Sequence, residues 1–208
     1  MKQQGSVCAI LGAGRSERMG AQKLLLRFGE TTLLGRALEA ARDYRTVAVV
    51  TAALAPHMPS RPGLTVIVND EPERGMTHSL RLANAALGDP DKALVVLLAD
   101  TPLVEAPLVR RVVAARGEAD LAYPVLHGVS GHPVVFGPRP RTALEHLAEG
   151  DTLRSLRDDR RWSRVEVATG DEAPYVDVDT PADLARARRM FARALEPAEV
   201  SRSHSPGE

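Results

Sequence analysis

Cysteine and aromatic residues are scarce in this chain of 208 residues, which has one Cys, one Trp, three Tyr and three Phe. A lone cysteine closes no internal disulfide and leaves a Cys-based metal site without its partners. Within the run Val7-Cys8-Ala9-Ile10-Leu11 it reads as a small core residue. With aromatics at 3% and apolar residues at 44%, the core must be built from Ala, Val and Leu. Net charge is also missing: 27 Lys plus Arg balance 27 Asp plus Glu. That excludes the basic excess of a dedicated nucleic-acid binder, while a local cluster of Lys and Arg still suffices for a small anionic substrate. No apolar run approaches the ~18 residues of a membrane span, and the chain leads straight into a short strand with no apolar leader. The expectation is a cytoplasmic protein that works with neither nucleic acid nor membrane.

Short apolar runs alternate with helical patterns. Strands are predicted at Ser6–Leu11, Thr46–Thr51, Leu64–Val68, Ala93–Leu98, Leu121–Pro124, Pro133–Phe136, Arg164–Val167 and Tyr175–Val178. Several, such as Leu94-Val95-Val96-Leu97-Leu98, are apolar at every position, as strands covered on both faces of a mostly parallel sheet are. Leu33, Leu34, Ala37, Leu38 and Ala41 fall on one helical stripe, and Leu184, Ala187, Met190, Phe191, Ala194 and Leu195 on another. The second helix has Thr180 as its cap, Pro181 at its first position and Asp183 near its positive end. These alternations imply an α/β fold of three layers around a doubly wound, mostly parallel sheet, with ligands bound beyond the C-terminal strand edges. One domain over residues 1–195 and a disordered tail over 196–208 are expected.

The segment after the first strand, Leu11-Gly12-Ala13-Gly14-Arg15-Ser16-Glu17-Arg18-Met19-Gly20-Ala21-Gln22-Lys23, combines uncovered backbone amides with three cations. Such a run of N–H donors favours an anion, and Arg15, Arg18 and Lys23 add full charge. Two other phosphate loops are excluded. A dinucleotide turn needs Gly at 17, where Glu17 stands, and a Walker loop needs a Gly-Lys-Ser/Thr ending. Asp100 closes Leu97-Leu98-Ala99-Asp100-Thr101-Pro102, where a carboxylate after an apolar strand calls for a cation or solvent. Magnesium takes one or two carboxylates together with phosphate oxygens and water.

The first segment resembles the L-x-A-G-x-S-x-R-M-G-x-x-K signature of small nucleotidyltransferases related to molybdenum cofactor cytidylyltransferase and guanylyltransferase. The resemblance continues in Gly75-Met76-Thr77-His78-Ser79-Leu80, Asp100-Thr101-Pro102, Gly131-His132-Pro133 and Asp177-Val178-Asp179-Thr180-Pro181. It implies a Rossmann-like fold of the nucleotide-diphospho-sugar transferase type. It also implies that Arg18 and Lys23 grip a triphosphate, with Leu11, Gly12, Ala13, Gly14, Arg15 and Ser16 wrapped around the nucleotide. Asn69, Gly75 and Ser79 would lie near the nucleoside and His132 on the acceptor side. Asp100 would hold Mg2+ and act with Lys23 and Arg18 in catalysis, and Asp177, with Asp179 as the weaker alternative, would be the second metal ligand.

The expected reaction is transfer of a nucleoside monophosphate, CMP from CTP, to a phosphate acceptor such as molybdopterin-bound molybdenum, with release of pyrophosphate. The acceptor phosphate is already ionised near neutrality, so positioning and charge neutralisation carry the step and no general base is required. Ala13 and the motifs at residues 75–80 and 131–133 lean to the cytidine branch. A GTP-using or other-acceptor member, an NAD(P)-dependent oxidoreductase, and a nucleotide sensor or chaperone for a molybdenum enzyme are the competing readings. The chain departs from the family at Gly150-Asp151-Thr152-Leu153-Arg154, where the family's G-D-x-G-x-R loses its second Gly and its Arg moves one position closer. That departure bears on the acceptor more than on the nucleotide.

Overall fold

The computed structural model describes residues 5–14, 23–147 and 152–195. In chain order the elements are β1 (Ser6–Gly12), β2 (Arg27–Phe28), β3 (Thr31–Thr32), α1 (Leu33–Ala40), β4 (Arg45–Val50), β5 (Leu64–Val68), α2 (Gly75–Leu87), β6 (Ala93–Leu98), α3 (Ala106–Arg116), β7 (Leu121–Leu126), β8 (Val129–Ser130), β9 (Val134–Phe136), α4 (Pro138–Ala143), α5 (Leu153–Asp158), β10 (Arg164–Ala168) and α6 (Pro181–Leu195). The main sheet has the order β10-β7-β9-β6-β1-β4-β5, with β8 paired to β7. The β4, β1, β6 and β5 pairings are parallel, as is β10 with β7, whereas β9 runs antiparallel between β6 and β7. The sheet is therefore mixed but mostly parallel, as the unbroken apolar strands require.

Alternate residues of each central strand feed two separate cores. Cys8, Ile10, Val95 and Leu97 pack with α1, α3 and α6, while Val7, Ala9, Leu11, Leu94 and Val96 pack with α2, α4 and α5. Three layers follow directly, because a strand apolar on both faces is stable only with helices over each. The Cys8 thiol, fully buried, is pushed above the usual thiol range by desolvation.

The chain winds from β1 outward to β4 and β5, then returns to set β6 on the other side of β1. The winding reverses between β1 and β6, and a crevice opens there beyond the carboxyl ends of both strands.

Two sequence expectations are corrected. Tyr175–Val178 is not a strand. Pro174 belongs to a 3-10 turn over Ala173–Tyr175, and one hydrogen bond, from the Val178 N–H to the Asp100 carbonyl (2.9 Å), stands in place of a ladder. Alternation survives without pairing, since Val176 and Val178 are buried and Asp177 and Asp179 face outward. The stripe of α6 also fades: Leu184 and Ala187 are buried, but Ala194 and Leu195 are exposed because the helix outruns the sheet's cover. The α2 helix begins at Gly75 with no side-chain cap. The start of α6 follows expectation, with the Asp183 N–H donating to Thr180 Oγ1 (3.2 Å) and the Thr180 N–H to Asp183 Oδ2 (2.8 Å).

Arg141 is the largest side chain in the interior that sequence patterning does not explain. At 1% exposed, it donates from Nε to Asn84 Oδ1 (2.6 Å) and through its other nitrogens to the carbonyls of Gly88, Asp89 and Lys92. It thus satisfies the carbonyls after the C-terminus of α2 and ties α4 to the approach of β6.

Candidate active site

The crevice brings Lys23, Asp100 and Asp179 together across 156 residues of chain. Lys23 opens a short 3-10 turn (Lys23–Leu25) whose Leu24 is buried in the core, so the stem of the lysine is carried down to the sheet edge. Its Nζ donates to Asp100 Oδ2 (2.9 Å), Asp179 Oδ1 (2.8 Å) and the Val178 carbonyl (2.9 Å). Lys23 is only 8% exposed. Burial pulls the ammonium's pKa down, but the Asp100 charge and the hydrogen bonds to Asp179 and Asp100 outweigh it, and the pKa ends above the usual lysine value.

Asp100 lies two residues beyond β6 and caps no helix, because α3 starts at Ala106 with Glu105 in the cap position. Its backbone is fixed on either side: the Val178 N–H binds its carbonyl, and Thr101 Oγ1 donates to the Leu98 carbonyl (2.9 Å). Asp177 stands nearby, and its carboxyl is raised to about 6 by partial desolvation and by the charges of Asp100 and Asp179. Two carboxylates thus contact one ammonium, and a third lies close enough to feel their charge.

Two adjoining cavities open here. One, of about 450 Å³, is lined by Leu11, Gly12, Ala13, Gly14, Lys23, Ser79, Asp100 and Asp179, with Pro72, Glu73, Gly75 and Met76 opposite. The other, of about 730 Å³, has Arg74, His78, Arg81, Arg154 and Arg157 in its walls, with His132, Tyr175 and Asp177. Gly75 and Met76, at the start of α2, border both. A phosphate bound across this border would lie between the acidic cluster and the arginines of the larger cavity.

Of the residues expected at the nucleotide, Leu11, Gly12, Ala13, Gly14, Lys23, Gly75 and Ser79 line the smaller cavity. Asn69 lies behind it. Buried to 2%, it accepts from the Glu71 N–H (2.9 Å) and donates to Ser79 Oγ (3.0 Å), so it orients Ser79 and does not face the cavity. Arg15, Ser16, Glu17, Arg18 and Gly20 fall outside the described residues, as do Gly150, Asp151 and the tail 196–208. At Gly12 an added Cβ would stand 3.2 Å from Leu24 and 3.3 Å from Ala99, so the Gly found here in place of the family's Ala relieves a tight packing.

His132 walls the larger cavity, its N–H bonded to the Pro174 carbonyl (3.1 Å). Burial lowers its imidazole to about 4, against the opposing pull of the Val96 carbonyl and Asp100, and its Nδ1 has no partner among the described residues. A neutral ring fits a substrate contact and makes a weak base. Gly131 is required beside it: a Cβ there would meet the Pro174 carbonyl at 2.5 Å and the Tyr175 ring at 2.8 Å.

Sequence reasoning missed the Asp179–Lys23 contact and, Arg154 apart, the cations of the larger cavity. The first joins distant segments and has no local signature. Arg154 and Arg157 had one, since three residues apart on a helix they share a face.

Comparison with known proteins shows the family to which the chain belongs. The sequence profile of the MobA-like NTP transferase domain matches residues 8–167. The molybdenum cofactor guanylyltransferase of Mesorhizobium japonicum is 29% identical, covering 88% of this chain and 94% of that protein. The molybdenum cofactor cytidylyltransferase of Escherichia coli is 22% identical, with 88% and 96% covered. Bifunctional GlmU proteins match too, though the chain spans only 45% of the length of one from Anaeromyxobacter sp.. The solved structure of Rv0371c from Mycobacterium tuberculosis superposes with a TM-score of 0.77 at 26% identity, covering 89% of this chain and all of that one, and a manganese complex of that protein is also similar. A phosphate-turn signature, a switch-point crevice holding Lys23 against Asp100, and a family profile across most of its length place this nucleotidyltransferase in the MobA-like NTP transferase family.

Proposed function

We propose that this nucleotidyltransferase transfers CMP from magnesium-bound CTP to the phosphate of a molybdopterin-type acceptor and releases pyrophosphate. The observation that carries the reading is the Lys23–Asp100 contact of 2.9 Å in the wall of the smaller cavity. A cation for the polyphosphate and an acid for its metal stand within reach of one bound triphosphate.

The donor set fits a hard divalent ion. Asp100, with Asp179 or Asp177, would supply the one or two carboxylates magnesium uses, leaving the rest of its shell to phosphate oxygens and water. When bound, the metal neutralises charge between the phosphates. The chain's own residues do the rest. The amides of Gly12, Ala13 and Gly14, together with Lys23 and Arg18, hold the triphosphate so that its α-phosphorus faces the larger cavity. Arg74, Arg154 and Arg157 draw in the anionic acceptor and orient its phosphate oxygen for in-line attack. The oxygen–α-phosphorus bond forms as the bond to pyrophosphate breaks, and Lys23 and Arg18 stabilise the leaving group's charge.

Cytidine is favoured by Ala13 and the motif Gly75-Met76-Thr77-His78-Ser79-Leu80, of which Gly75, Met76 and Ser79 line the smaller cavity, and by Gly131-His132-Pro133, of which Gly131 and His132 line the larger. Pyrophosphate release with CTP or GTP, magnesium and molybdenum cofactor tests the reading. Turnover with CTP supports it, turnover with GTP alone moves the chain to the guanylyl branch, and nucleotide binding without release makes it a sensor.

A further inference from the structure

Three oxygens from two segments of chain surround the Lys23 ammonium: Asp100 Oδ2, Asp179 Oδ1 and the Val178 carbonyl, all at 2.8–2.9 Å. An ammonium so held occupies the space a small divalent cation would need, since magnesium draws oxygens in to about 2.0–2.1 Å and tolerates no second cation on the same lone pairs. The same lysine faces the smaller cavity, where the triphosphate belongs.

We propose that Lys23 is an exchangeable resident cation: it fills the divalent-metal position in the ligand-free protein and hands Asp100 and Asp179 to the metal only when a triphosphate offers it new oxygens. This rests on the reading of Asp100 as a metal ligand and adds an order of binding to it. Metal alone meets two carboxylates whose lone pairs are already shared by a buried lysine. Metal arriving with the nucleotide finds the lysine drawn to the β- and γ-phosphates. Metal and nucleotide affinities are then coupled through one side chain, each raising the other by the same factor.

Two measurements with Mn2+ as probe test this without turnover. Free Mn2+ is titrated by electron paramagnetic resonance against wild type, Lys23→Met and Arg74→Gln, all without nucleotide. Lys23→Met is expected to bind Mn2+ about ten- to a hundred-fold more tightly than wild type, the usual span of such a coupling. Arg74→Gln, which removes a nearby cation outside this contact, is expected to stay close to wild type. Equal affinity in wild type and Lys23→Met overturns the proposal, and so does an equal gain in Arg74→Gln, which would mark a general effect of charge. Should Lys23→Met fail to fold, wild-type crystals soaked in Mn2+ alone and in Mn2+ with CTP decide. Manganese between Asp100 and Asp179 only in the second soak upholds the exchange, and manganese there in both refutes it. Tighter Mn2+ binding by Lys23→Met in a protein that releases no pyrophosphate from any triphosphate would leave the exchange standing and remove the transferase reading.

Discussion

His132 should make the protein acid-sensitive, and the size of the effect follows from its burial. Its imidazole titrates at 6.5 when free and at about 4 in the fold, because desolvation disfavours the charged ring. Well above pH 6.5 both folded and unfolded chains carry the ring neutral, and it contributes nothing to pH dependence. Between 6.5 and 4 the unfolded chain takes up a proton that the folded chain refuses, so stability falls as pH falls, and the loss levels off below 4. At pH 5 the linkage amounts to about 2 kcal/mol against a few tenths at pH 7, and the full loss is about 3 kcal/mol. The assay is urea unfolding of wild type and His132→Gln at pH 7 and pH 5 in the absence of metal. The other five histidines and the carboxylates are common to both proteins, so the difference of differences isolates position 132. Wild type should lose about 2 kcal/mol more than His132→Gln between the two pH values. Equal losses would refute the reasoning and mean that His132 is solvated or paired in the fold.

Asp100→Asn should keep its fold, because Asp179 and the Val178 carbonyl still hold Lys23, while pyrophosphate release falls by about 10²–10³-fold; a loss below tenfold would remove Asp100 from the chemistry. Gly131→Ala forces a Cβ against the Pro174 carbonyl and the Tyr175 ring, and should raise the KM for acceptor while leaving the KM for CTP unchanged. Arg141→Met strips the bonds to the carbonyls of Gly88, Asp89 and Lys92 and should cost about 3–5 kcal/mol in urea unfolding, with activity per folded molecule intact.

Local chemistry wrote much of this protein into its sequence. Strands apolar on both faces had to lie in a covered, mostly parallel sheet, because only helices on each side remove Leu94 to Leu98 from water. Glycines and cations after β1 marked an anion-binding turn, and an aspartate just past β6 marked a cation's ligand, since neither pattern is stable without a counter-charge. Asp177 and Asp179 fell on one side through alternation alone, even though no strand formed around them. Tertiary structure decided what no local pattern encodes. It placed Asp179, not Asp177, on Lys23, turned Asn69 from the cavity to support Ser79, and buried Arg141 under α2. Each of these depends on where distant segments meet at the edge of the sheet. Periodicity tells a residue which face to take, whereas its partner is set by the winding order that brings β1, β6 and the segment before α6 to one crevice.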